Sequence, residues 1–196
     1  MCPPSAGTIE LDGLKVDSAT ATRKQSIALR RNLSFVFQNY ALFANKMAQE
    51  NISEALITVW KQSKPEANTR ALEILEEIGL VEHANHYPSQ PSGSQQQRIG
   101  IGRAMATQSQ VILFDEPTSA LDPEWLDEVL GLIKRLAELH HTMVIVTHEI
   151  EFARDIADRV IFMAEGKIIE QGPTDQLISN PKDPRTQRFL GRILRE

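Results

Sequence analysis

Two neighbouring carboxylates, Asp115 and Glu116, follow four apolar residues, Val111-Ile112-Leu113-Phe114, and precede Pro117. Such an apolar run suits a strand buried in a parallel sheet, and open α/β sheets bind ligands at the C-terminal ends of their strands. One carboxylate there can help hold Mg²⁺ on the phosphates of a nucleotide. Its neighbour, pointing elsewhere, is free to activate a water. An acidic turn closing a strand is the plainer alternative for the same pair. Ser92-Gly93-Ser94-Gln95 opens a helical pattern, where hydroxyl and backbone N–H groups form a natural anion site. A plain helix cap would look the same. Gln38 follows the β-like run Leu33-Ser34-Phe35-Val36-Phe37 and by itself reads as a polar loop residue. His83, His86, His140 and His141 fit no motif; they read as surface residues, without metal-ligand spacing.

The elements that must carry these residues alternate along the chain. Thr8 to Leu11 and Leu14 to Val16 flank Asp12-Gly13, a dipeptide suited to a tight hairpin turn. Arg23 to Arg31 reads as a short basic helix. Ile52, Ala55, Leu56, Val59 and Trp60 predict one helix face, and Pro65 starts a second helix with Leu72, Leu75 and Ile78. Asp122 can cap the next helix, with Pro123 in its first turn and Leu126, Val129, Ile133 and Leu136 on its buried face. Met143 to Val146 reads as another buried strand. A helix over 149–157, a hairpin about Glu165-Gly166 and helical pieces near 175–179 and 186–194 complete the pattern. Strand and helix in alternation predict an α/β fold with a parallel sheet, in which helices over 49–106 form an inserted subdomain.

Composition bounds the function classes. A chain of 196 residues, 41% hydrophobic and 24% charged, is about one domain and not a disordered polymer. No apolar run approaches the roughly 20 residues needed to cross a bilayer. Cys2 is the single cysteine, which excludes a disulfide framework and a Cys-based zinc site and points to a reducing, intracellular setting. Met1-Cys2-Pro3-Pro4 leads into polar residues and does not read as a signal peptide. With 21 Lys+Arg against 26 Asp+Glu, a net charge of −5, no nucleic-acid partner is expected.

Taken in order, Gln38 after a strand, Ser92-Gly93-Ser94-Gln95-Gln96-Gln97-Arg98, the Asp115-Glu116 strand end, Ser119-Ala120-Leu121-Asp122 and Thr147-His148-Glu149 resemble the ATP-binding subunits of ABC transporters. The resemblance runs from Gly7 to Leu194. It implies a P-loop NTPase-like ATPase domain spanning 1–196, with ATP and Mg²⁺ bound and ATP hydrolysed. It implies that Asp115 and Gln38 lie at the metal, that Gln38 also reaches the attacking water, that Glu116 is the general base, and that His148 contacts the γ-phosphate. Ser92, Gly93, Ser94 and Gln95 would grip ATP held by an opposite subunit, and Asp122 would lie in a loop crossing the dimer interface. Phe35-Val36-Phe37-Gln38, Phe152 to Arg159 and Pro184 to Leu190 resemble the polar amino acid uptake group, of cystine, glutamine and histidine type. That group implies transmembrane permease subunits, a second ATPase subunit, an indirectly linked periplasmic or extracellular solute-binding protein, and a peripheral place on the cytoplasmic face of the cell membrane.

Two departures qualify the match. The signature usually reads Leu-Ser-Gly-Gly-Gln, where this chain has Pro91 and Ser94, and the added Cβ is expected to hinder close approach of a phosphate. Gly100 and Gly102 follow in the same helix, where alanine would be more favourable by about 1 kcal/mol each. The larger departure is that no G-x-x-x-x-G-K-[ST] occurs, nor the aromatic that would stack on adenine. Pro3/Pro4 and Gly7-Thr8-Ile9 match the segment that follows the P-loop helix, so the chain is expected to start just after that unit. Weak Mg·ATP binding by these residues alone follows, since most donors to the β- and γ-phosphates are lost. The alternatives to an importer ATPase are a non-catalytic fragment or subunit that needs an intact partner, and a soluble ABC-type ATPase acting on DNA or ribosomes.

Overall fold

A computed structural model describes residues 6–193. The chain divides into two compact units, Met1–Val146 and Thr147–Glu196. Cys2, Pro3/Pro4 and Leu194 lie outside the described residues.

The first unit opens on an antiparallel hairpin, β1 (Thr8–Leu11) and β2 (Leu14–Asp17). Asp12 and Gly13 both take left-handed backbone, with φ of 48° and 75°, as a right-twisting two-residue turn requires. Helix α1 (Arg23–Arg31) is held at its start by a reciprocal cap: the Thr22 hydroxyl accepts from the Gln25 N–H, and the Gln25 side chain accepts from the Thr22 N–H. It delivers the chain into β3 (Leu33–Val36). This strand joins β4 (Val111–Asp115) and β5 (Met143–Val146) in a parallel sheet of order β3-β4-β5. Val36, Ile112 and Phe114 are buried on it.

The sheet corrects one expectation. Val144 and Val146 are 56% and 54% exposed, so β5 is an outer strand with an open face and not a strand buried on both sides. A run of four apolar residues cannot by itself distinguish these two places.

Between β3 and β4 come α2 (Ala48–Thr58), α3 (Lys64–Glu77) and α4 (Gly93–Ala106), which pack on one another through Ile52, Leu56, Ile74, Leu75, Ile78 and Ile101. The face expected of α2 is too long. The helix stops at Thr58, and Val59 and Trp60 lie beyond it, exposed. On α3, Leu75 and Ile78 are buried as the spacing predicts, whereas Leu72 is exposed and Ala71 and Ile74 occupy the core. Gly102 is also not a weak point. A Cβ there would lie 3.0 Å from Ile74, 3.1 Å from Ile78 and 3.3 Å from Ile52, so the missing side chain lets three helices approach.

After β4 a single 3-10 turn, Pro123–Trp125, precedes α5 (Leu126–Glu138). Asp122 stands before that turn and makes no side-chain capping bond, contrary to the cap expected from its type. Val129, Leu132, Ile133 and Leu136 form the buried face of α5.

The second unit holds α6 (Ile150–Ile156), the antiparallel pair β6 (Arg159–Ala164) and β7 (Lys167–Pro173), α7 (Thr174–Ser179) and α8 (Pro184–Ile193). Glu165 and Gly166 turn the hairpin with φ of 52° and 73°. The Glu170 carboxylate on β7 accepts from the Lys182 and Asp183 N–H groups, at 2.8 and 3.1 Å, just ahead of α8. Phe189 on α8 packs against Phe162 on β6, with ring centroids 5.0 Å apart.

Candidate functional site

Register places the first group. Val36 pairs with Phe114 across the parallel strands β3 and β4, and Asp115 pairs with Val146 on β5. Gln38, Asp115 and Glu116 therefore leave the sheet at one edge, the C-terminal ends of neighbouring strands. Gln38 and Asp115 are exposed and Glu116 is half-buried.

The backbone at Glu116 is left-handed, with φ of 41°, a conformation unfavourable for a residue with a long side chain. Three hydrogen bonds keep it there. Its N–H donates to the Val146 carbonyl at 2.9 Å, and its carbonyl accepts from the Ser119 N–H at 3.3 Å and the Ser119 hydroxyl at 3.1 Å. The turn ends β4 directly after Asp115.

The N-terminus of α4 forms the second group. Ser92 is exposed and shares a reciprocal cap with Gln95: the Ser92 hydroxyl accepts from the Gln95 N–H, and the Gln95 side chain accepts from the Ser92 N–H at 2.9 Å. Ser94 is buried, its hydroxyl 3.2 Å from that of Ser92 and donating to the Glu128 carboxylate on α5 at 3.5 Å. Glu128 pairs with Arg98 at 3.1 Å, and Arg98 donates to the Ile78 carbonyl. The Cβ that Ser94 adds thus belongs to a side chain turned toward α5, not outward from the helix end.

Sequence reasoning missed Tyr40. Its hydroxyl donates to the Ala120 carbonyl at 3.1 Å, inside the Ser119–Asp122 loop, and the same oxygen would lie 2.7 Å from a Cβ on Gly93. Burial first, and the Asp122 charge second, push the Tyr40 phenol above its ordinary pKa. Arg103 on α4 donates to the carbonyls of Ala41, at 2.7 Å, and Tyr40, at 3.3 Å, and burial lowers its own pKa. Gln97, wholly buried on α4, has no protein partner for either side-chain polar atom, which nothing in the local pattern announces.

His148 lies in the second unit. It is exposed, its Nε2 3.3 Å from a Glu149 carboxylate oxygen, and the Glu149 N–H donates to the Thr147 hydroxyl at 3.0 Å. Among the described residues, no three His, Cys, Asp or Glu residues form a group that could hold a metal ion by themselves. Among them, too, no helix is long and apolar enough to cross a membrane.

The chain is similar to known proteins over most of its length. The chain is 50% identical over 190 residues to the "Probable amino-acid import ATP-binding protein YxeO" of Bacillus subtilis, covering 97% of this chain and 76% of that protein. It is 49% identical over 192 residues to the L-cystine import ATP-binding protein TcyC of the same organism, covering 97% and 78%. It is 45% identical over 190 residues to the glutamine transport ATP-binding protein GlnQ of Geobacillus stearothermophilus, covering 97% and 77%. Among solved structures it resembles the dimeric ATP-binding cassette MJ0796 in a post-hydrolysis state bound to ADP and Pi. That match has a TM-score of 0.76 and 34% identity, and covers 88% of this chain and 75% of that one. The sequence pattern of the ABC transporter family matches residues 1–119. With the expected α/β architecture and relatives of this similarity, the chain belongs to the ABC transporter family of ATP-binding, ATP-hydrolysing domains.

Proposed function

We propose that this chain is the ATP-hydrolysing subunit of an importer for a polar amino acid. It would sit peripherally on the cytoplasmic face of the cell membrane, against transmembrane permease subunits and paired with a second ATPase subunit. A periplasmic or extracellular solute-binding protein would deliver the amino acid to the permeases. The observation that carries the reading is the common edge where Gln38, Asp115 and Glu116 leave adjacent parallel strands, in a chain about half identical to import ATP-binding proteins. Exposed Phe37 and Phe43, on either side of the Gln38 loop, supply apolar area suited to a permease contact. In this reading 1–196 is one ATPase domain and 49–106 its helical subdomain.

The donor chemistry suits Mg²⁺, which keeps several waters and takes one or two carboxylates together with substrate phosphates. Asp115 and Gln38 would hold it, and when bound it would neutralise phosphate charge. Glu116 takes a proton from the water attacking the γ-phosphate, so that ATP yields ADP and phosphate. His148 contacts the γ-phosphate. Ser92 presents its hydroxyl, and Gly93, Ser94 and Gln95 the backbone at the start of α4, to ATP held by the second subunit, with Asp122 in the loop that crosses between subunits.

The test joins this chain to the P-loop segment of TcyC and measures ATP binding and turnover. The parent fusion is expected to hydrolyse ATP, and Glu116→Gln to bind ATP about as tightly with turnover abolished. Parental turnover in the Glu116→Gln fusion would overturn the assignment. A second reading, in which the chain lends the end of α4 to a nucleotide held by another subunit, is favoured by the exposure of Ser92 there. It requires that mixing the 196-residue chain with a P-loop-bearing relative raise that relative's turnover, and that the gain vanish with Ser92→Ala.

A further inference from the structure

Tyr40 and Ala41 are consecutive left-handed residues other than glycine, with φ of 61° and 47°. Two such residues in a row are costly and persist only where their surroundings over-determine them. Here the constraint comes from three sides. The Arg103 guanidinium, on α4, donates to both of their carbonyls. The Tyr40 hydroxyl donates to the Ala120 carbonyl beyond β4. The Tyr40 ring tip lies over Gly93, so closely that any side chain there would strike the phenolic oxygen at 2.7 Å. The far end of the same loop is tied separately: the Asn51 amide, fully buried on α2, donates to the carbonyls of Phe43, Lys46 and Met47 and accepts from the Phe43 N–H.

We infer that Tyr40 is a positioning residue, a latch joining the Gln38 loop, the N-terminus of α4 at Gly93 and the Ser119–Asp122 loop, so that displacement of the first moves the other two together. The inference rests on the assignment of those loops under the proposed function. Gly93 serves the latch by having no side chain, a role separate from the backbone freedom for which glycine is usually required. A Cβ at Gly93 would displace the Tyr40 hydroxyl, the far end of the side chain, and with it the bond to Ala120. Removing the hydroxyl would relieve that conflict, since the next ring atom, Cζ, lies at an ordinary contact distance of 3.6 Å.

Amide hydrogen exchange of the 196-residue chain, with no nucleotide present, tests this with Tyr40→Phe, Gly93→Ala and the double variant. The reporters are the Ser119 and Leu121 N–H groups, bonded to the carbonyls of Glu116 and Thr118. Each single variant is expected to speed their exchange about fivefold, the loss of one hydrogen bond. The double variant is expected to be no faster than either alone, because both changes break the same contact. Unchanged exchange in either single variant, or rates that multiply in the double, would overturn the latch. A global melt recorded in parallel separates local release from general destabilisation: exchange that rises equally throughout the unit also counts against it. No nucleotide takes part, so failure here leaves the transport reading standing. Failure of the hydrolysis test likewise leaves the exchange pattern interpretable.

Discussion

At the scale of single residues, the site divides into groups held by backbone and groups free to act. Asp115 stands exposed at the end of β4, while Glu116 next to it is fixed by three hydrogen bonds to its own peptide groups. Their proposed roles differ, and so do the expected effects of losing charge at each. Asp115→Asn, in the P-loop-joined form, is expected to raise the Mg²⁺ concentration for half-maximal turnover about tenfold or more, since an amide is a poorer ligand for a hard cation. Magnesium titration of the steady-state rate checks this, and an unshifted midpoint would remove Asp115 from the metal. That Gln38 and the Asp115-Glu116 pair stand at strand ends was legible in the sequence, because short apolar runs precede them. Tyr40 was not, because its meaning lies in Gly93 and Ala120, distant along the chain and brought beside it only by packing.

At the scale of elements, dipeptide chemistry was the most readable signal. Asp12-Gly13 turns as its types require, Gly166 marks the second hairpin turn although Glu165 beside it takes a left-handed backbone unusual for glutamate, and Pro65 marks the first turn of α3. Less readable was what each apolar residue touches: Val59, Trp60 and Leu72 have the right spacing but face water, since periodicity cannot say where a neighbouring helix ends. Gly102 gives the clearest test of this difference. Helix propensity favours Gly102→Ala, but Ile52, Ile74 and Ile78 are fully buried, and all three must give by a few tenths of an ångström within a packed core. We expect a net loss of about 1–2 kcal/mol, overpacking outweighing propensity, measurable by urea denaturation. A stabilised variant would show that the three helices separate more easily than their packing indicates. In the second unit, the Lys182 N–H first and the Asp183 N–H second lower the pKa of Glu170. A carboxylate whose folded pKa is depressed contributes stability above the ordinary glutamate range and loses it as pH falls through the folded value. The Tm gap between the parent and Glu170→Gln is thus expected at neutral pH and should close on acidification. A gap independent of pH would mean the carboxylate's charge is not what anchors the start of α8.

At the scale of the whole molecule, the outer strand β5 sets the behaviour of the isolated chain. Half-exposed Val144 and Val146 lie on a sheet edge, and such an edge is a template for pairing with another chain. Size-exclusion chromatography of the 196-residue chain is expected to show concentration-dependent association, reduced by Val144→Lys. A sharp monomer peak at high concentration would show that this edge is harmless. The left-handed turn at Glu116 has a different consequence, for sequence drift. Glycine or asparagine would occupy that backbone with less strain, yet neither supplies a carboxylate. Under the proposed role of Glu116 as the general base, conformational ease and turnover make opposite demands on this position: Glu116→Gly is expected to stabilise the fold while removing the proton acceptor.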